Sequence, residues 1–172
     1  IGDSNTVRTM AYGFTTWDNV VAAVSMGVEH IQSLKMTYFK GYKNPVTAID
    51  AVKIIQPKRI IITYGTNDLF WDTDEFIKVY KKALAAIHEA YPYADIIVNA
   101  VPPLDKQREN TRLTMQRVDE FNKAIAEMAK EEGYKFLNSS EALKDEKTGF
   151  AKTDYTIGDG VHLSKKGMEA YV

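Results

Sequence analysis

At 172 residues the chain suits one domain on the usual prior of roughly 100–200 residues, and 45% apolar with 26% charged residues is the balance of a folded globule, which excludes a disordered tail. Twenty-two Lys and Arg against 23 Asp and Glu leave a net charge of −1, without the basic excess of a dedicated nucleic-acid binder, so no nucleic acid is expected as a partner. Zero cysteines exclude a disulfide scaffold, a thiol nucleophile and thiolate zinc, and no apolar run approaches the roughly 20 residues of a membrane span, so no stable membrane insertion is expected.

A single Ile precedes Gly2-Asp3-Ser4 where a buried strand usually has about 5–6 residues, so the chain reads as trimmed at its start. A second apolar run, Val20–Val24, leads to Ser25-Met26-Gly27. A short helical stretch, Thr47–Gln56, is closed by Pro57. Arg59–Tyr64 is apolar in both phases, which predicts a strand covered on both sides, and it runs into Gly65-Thr66-Asn67-Asp68. Phe76, Ile77, Tyr80, Leu84 and Ile87 recur at 3–4 spacing and predict a helix over 72–90, with Thr73 or Asp74 as its cap. Asp95–Val101 is the next strand, stopped by Pro102-Pro103. Met115, Val118, Phe121, Ile125 and Met128 form the stripe of a helix over 111–132, ended by Gly133. Tyr134–Leu137 leads to Asn138-Ser139-Ser140, and Asp159-Gly160-Val161-His162 precedes a last helix from Ser164, which has about two turns before Val172. No repeat or linker interrupts this alternation, so one domain over residues 1–172 is expected, trimmed at both ends. Strands alternating with helices predict a parallel sheet with helices on both faces, whose ligands sit beyond the carboxyl ends of the strands.

The residues that follow those strands carry the chemistry. Acyl transfer requires a nucleophile, a base, a group orienting the base, and donors for a developing oxyanion. Ser4, at a strand-to-helix turn, fits a nucleophile as well as a helix cap. Asp159, three residues before His162, can bend back to one imidazole nitrogen and leave the other for Ser4, or close a turn. Asn67 is a side-chain donor or an Asx turn, and Gly27 an unshielded N–H or a strand end. On composition alone, the three motifs Gly-Asp-Ser, Gly-x-Asn-Asp and Asp-x-x-His occur together by chance on the order of 10⁻⁴ of the time. His30 and His88 read as surface residues, and Asp3 as a brace for the Ser4 turn.

Gly2-Asp3-Ser4, Gly65-Thr66-Asn67-Asp68 and Asp159-Gly160-Val161-His162-Leu163-Ser164 resemble the first, third and fifth blocks of the SGNH hydrolases, also called GDSL-type esterases and lipases. The resemblance runs from residue 2 to residue 164. It implies Ser4 as nucleophile, Asp159 and His162 as the rest of a triad, and an oxyanion hole from the N–H groups of Ser4 and Gly27 and the amide of Asn67. Asn5 stands where leucine is common, and the second block lacks the Asn and further Gly often found around Gly27. The implied fold is a flavodoxin-like α/β/α sandwich on a five-stranded parallel sheet. The implied reaction is ester hydrolysis through an acyl-enzyme, with no cofactor and no metal.

The expected substrate is a small-molecule or carbohydrate ester carrying a short acyl group such as acetyl, because the chain has little material for a lid. Phe70, Trp71 and Tyr64 are candidates for an acyl or sugar subsite, with Trp71 equally suited to covering the core. Lysophospholipase or thioesterase activity would use the same machinery, and a binding module without turnover is the reading from another class. A flavin or nucleotide binder lacks its Gly-rich loop, and the Gly-x-Ser-x-Gly elbow of α/β-hydrolases is absent. Secretion or the bacterial cell envelope is favoured over the cytoplasm.

Overall fold

The computed structural model describes residues 1–172. Its centre is a parallel sheet of β1 (Arg59–Ile62), β2 (Asp95–Asn99) and β3 (Lys135–Leu137), in that order. Ile61 lies opposite Ile97, and Val98 opposite Phe136. Single parallel bridges continue the sheet beyond β1, from Thr63 to Gly2 and from Gly2 to Ala22. Three of the five expected strands are thus ladders, and Gly2 and Ala22 join the sheet's edge only through single bridges.

Five of the six α-helices start on a side-chain cap. Asp3 caps α1 (Ser4–Ala11), accepting the Asn5 N–H. Thr47 caps α2 (Ala48–Ile55), and Gln56, in the left-handed region at φ 49°, turns the chain towards Pro57. The cap of α3 (Thr73–Ala90) is Asp72, ahead of the expected Thr73 or Asp74. The second long helix, α4, begins at Met115 behind Thr114, later than the pattern predicts. Asn110 accepts the N–H groups of Arg112 and Leu113, and this turn draws residues 111–113 out of the helix. Gly133, at φ 76°, ends α4. The short α5 (Ser139–Leu143) follows β3, and Ser164 caps α6 (Lys165–Tyr171).

The two faces of the sheet are covered unequally. Ile60, Ile62, Ile96 and Val98 pack with Phe76, Tyr80, Leu84, Val118, Phe121 and Ile125 of α3 and α4 in a core of 27 buried residues. On the other face, Leu143, Leu163 and Met168 form a core of three, flanked by Tyr12, Phe14 and Tyr171. Here the expectation of a β1 strand buried on both sides fails, because Arg59 and Ile61 are exposed while Ile60 and Ile62 are buried. The reason is reach. α6 touches that face at Thr63 and Asn99 through the Tyr171 hydroxyl, while Ile61 and Leu137 stay open to an apolar groove.

Candidate active site

Ser4 is the first residue of α1, so its N–H lies among the unpaired amides at the positive end of the helix. Asp3 supplies the cap, which leaves the Ser4 hydroxyl free of that duty. Ser4 Oγ lies 2.8 Å from His162 Nε2, and His162 Nδ1 lies 2.6 Å from Asp159 Oδ2. With the Nδ1–H of the ring donating to the Asp159 carboxylate, Nε2 is the acceptor for the serine proton.

The loop carrying this pair is closed by its own carboxylate. Asp159 Oδ1 accepts the N–H groups of Val161 and His162, both at 2.9 Å. Desolvation pushes the Asp159 carboxyl upward, yet the His162 and Val161 N–H groups and the His162 ring hold it below the usual carboxylate range. Gly160 takes φ 68°, and a Cβ there would stand 2.8 Å from that of Arg108. The loop is also tied to α1: the Leu163 N–H donates to Asn5 Oδ1 at 2.9 Å, and the Tyr12 hydroxyl to the Leu163 carbonyl at 3.3 Å. Asn5 is buried, so the position where leucine is common carries the acceptor that links α1 to the His162 loop.

The turn after β1 is built on Gly65, whose φ of 132° is open to glycine alone, with a Cβ set 2.5 Å from Val101. Asn67 makes no Asx turn. Its Nδ2 donates to the Met26 carbonyl at 2.8 Å, and the neighbouring Asp68 Oδ1 accepts the Val28 N–H at 3.0 Å. These two side chains grip the 26–28 turn around buried Gly27, whose Cβ would stand 2.5 Å from Asp68 Oδ1. The Ser4–His162–Asp159 chain and the Asn67–Met26 contact therefore belong to adjacent loops at the carboxyl edge of the sheet.

Two buried acids brace these loops. Burial raises the Asp3 carboxyl to about 6, against the Asn5 N–H, the Thr66 side chain and the His162 charge. It raises Asp68 to about 7, against the Val28 N–H and reinforced by Glu29 and Asp3. His30 pairs with Glu29 at 3.2 Å and is partly exposed, and His88 is exposed on α3. Tyr64 leaves the subsite candidates: it is fully buried against Tyr80, with its hydroxyl on the Gly2 carbonyl, because its strand position faces the main core. Trp71 packs on that core, while Phe70 is 70% exposed.

Arg117, which the sequence did not single out, staples the 69–71 loop. Its guanidinium donates to the Leu69 and Trp71 carbonyls and to Thr73 and Glu120. An arginine on the polar flank of an amphipathic helix carries no local sign of such a task.

The model of the GDSL-like lipase/acylhydrolase family matches residues 1–170. The chain belongs to that family. Its members hydrolyse carboxylic esters, and so does this enzyme. No curated protein sequence matches the chain significantly. Among solved structures it is similar to a GDSL-like lipase from Bacteroides thetaiotaomicron, with TM-score 0.70 and 17% identity over 98% of this chain and 80% of that one. It is similar to a peptidoglycan O-acetylesterase, with TM-score 0.64 and 18% identity over 87% of this chain and 42% of that one. A carbohydrate esterase family 3 protein from Talaromyces cellulolyticus gives TM-score 0.60 and 20% identity over 87% and 64%. The chain thus spans less than half the length of the O-acetylesterase. At these identities the likeness is one of fold.

Proposed function

We propose that this enzyme removes short acyl groups, acetyl foremost, from carbohydrate, with Ser4 as nucleophile, His162 as base and Asp159 as its orienting partner. The observation that carries the reading is the continuous chain from Ser4 Oγ through the His162 ring to Asp159, at 2.8 and 2.6 Å. His162 Nε2 takes the Ser4 proton as Oγ attacks the carbonyl carbon, and the imidazolium then protonates the leaving alcohol. Water, deprotonated by the same nitrogen, releases the acid from Ser4. The oxyanion of each step is held by the N–H groups of Ser4 and Gly27 and by the Asn67 amide.

The short acyl group and the sugar are argued from the surroundings. The apolar groove of the fold runs along the open face of the sheet, past Ile1, Pro57, Ile61, Leu137 and Tyr171, and neither Ser4 nor His162 lines it, so it is not an acyl slot that opens on the Ser4 hydroxyl. Beside the Asn67 loop is a recess of about 670 Å³ with Phe70, Trp71, Asp72, Thr111 and Arg112 around it. An exposed aromatic ring among hydrogen-bonding groups suits the C–H face and hydroxyls of a sugar.

Hydrolysis of p-nitrophenyl acetate and octanoate by the wild type and Ser4→Ala tests both parts. Acetate is expected to be the better substrate, with turnover abolished in Ser4→Ala. Preference for octanoate would favour a lysophospholipase or thioesterase, and equal rates in the two proteins would remove Ser4 from the reaction.

A further inference from the structure

The Asn67 amide and the Gly27 N–H, which the proposed hydrolysis asks to meet one oxyanion, point apart. Asn67 Nδ2 donates to the Met26 carbonyl oxygen at 2.8 Å, and the Gly27 N–H has no acceptor. The Met26–Gly27 peptide is trans, so its N–H points opposite to its C=O. With the Met26 oxygen turned towards Asn67, the Gly27 proton is turned away from it. On standard backbone dimensions, an oxygen bound in line by the Gly27 N–H stands roughly 6–7 Å from Asn67 Nδ2, well beyond hydrogen-bond reach. A carbonyl dipole directed at the Asn67 amide also repels an anion forming there.

We infer that the Met26–Gly27 peptide is a two-position element: its carbonyl occupies the Asn67 amide at rest, and half a turn of the peptide delivers the Gly27 N–H to the oxyanion. The inference rests on the hydrolysis proposed above and adds a step to it. Rotating a peptide plane changes the ψ before it and the φ after it in compensating senses, here ψ of Met26 and φ of Gly27, and leaves the rest of the chain nearly in place. Gly27 now has φ −98° and ψ 172°. Half a turn takes its φ to roughly +80° at the same ψ, a region essentially restricted to glycine. A residue with no Cβ is therefore needed in the second position, and in the first a Cβ would collide with Asp68 and Glu29.

The flanks are anchored so that the motion stays local. Downstream, the Val28 N–H is held by Asp68 Oδ1. Upstream, Ser25 sits at φ 61°, a left-handed conformation uncommon for a residue other than glycine, which leaves the turn short of full relaxation. Asn67 Nδ2 carries two protons about 120° apart. One secures the resting peptide, and rotation releases it while the charge on the substrate oxygen draws the Gly27 N–H inward.

The test uses the wild-type enzyme, free and after reaction with a fluorophosphonate ester. In that reaction Ser4 Oγ bonds to phosphorus, fluoride leaves, and the hydroxyl proton passes to His162. The phosphoryl oxygen then stands in for the oxyanion. Crystal structures of the two forms are expected to have the Met26 oxygen on Asn67 Nδ2 in the free enzyme. In the adduct, the Gly27 nitrogen is expected within hydrogen-bond distance of the phosphoryl oxygen, with the Met26 carbonyl released. In solution, the Gly27 amide proton should move downfield on phosphonylation. An adduct in which Met26 still accepts from Asn67, or a free enzyme whose Gly27 N–H already faces the site, overturns the two-position element and leaves the triad standing. Failure to form any adduct overturns the Ser4 reading itself and this inference with it.

Discussion

Asp159→Asn is a substitution whose outcome the local hydrogen bonds dictate. Asp159 makes three bonds, two through Oδ1 to the N–H groups of Val161 and His162 and one through Oδ2 to His162 Nδ1. An asparagine here has one oxygen to share. Turning its amide nitrogen towards the two backbone donors would forfeit both bonds and set donor against donor, whereas keeping the oxygen there forfeits one. The oxygen therefore stays on the backbone, and the NH₂ group faces the imidazole. Nδ1 must then be the unprotonated nitrogen and Nε2 carries the proton, so the ring faces Ser4 as a donor and cannot act as its base. A wrong tautomer of this kind costs about 10⁴ in kcat, or roughly 5 kcal/mol of transition-state stabilisation. The assay is kcat and KM on p-nitrophenyl acetate at pH 7, with far-UV circular dichroism to check the fold. Because the ester does not touch Asp159, KM should change little. A variant within tenfold of wild-type kcat would refute the tautomer argument and remove Asp159 from its assigned role.

Other perturbations follow from the same geometry. Asn67→Ala should lower kcat by about 10²–10³ with the fold intact, the loss typical of one oxyanion donor; unchanged kcat would remove Asn67 from the hole. Asn5→Leu leaves the buried Leu163 N–H without its acceptor, which costs about 1–3 kcal/mol of stability by denaturant titration and lowers kcat through a loosened His162 loop. Unaltered stability and kcat would mean that Asn5 ties down nothing. Asp3 and Asp68 have folded-state values raised to about 6 and 7, above the unfolded 3.8, so they favour the protonated form. The stability they contribute is complete below about pH 4 and is lost as pH rises through 6 to 7. The melting temperature should fall by a few degrees between pH 5 and pH 8, and Asp68→Asn should remove much of that fall. A flat or rising profile in the wild type would contradict the buried-acid assignment.

Much of the architecture was legible along the chain because its causes are local. The stripe from Phe76 to Ile87 and the stripe from Met115 to Met128 are spaced to cover one side of a helix, and each is buried where the 3.6-residue period puts it. Gly65, Gly133 and Pro57 punctuate the elements through their own backbone preferences. The boundaries were less legible. A turn from Asn110 competes with the start of α4, and three acidic or hydroxyl residues in succession compete for the cap of α3.

The site divides in the same way. Its residue types and their order after each strand were readable, which is how Ser4, Asn67, Asp159 and His162 came to be singled out. Sequence alone determined which groups are available and that they collect at one edge of a parallel sheet, since helical period, strand run and turn chemistry act over a few residues. Only the tertiary structure decided that Ser4 meets His162 across 158 positions, that Asn5 carries the histidine loop, that Ile61 stays open, and which way the Met26–Gly27 peptide faces. Those outcomes depend on hydrogen-bond directions and burial between segments remote in sequence, and no local preference of the chain encodes them.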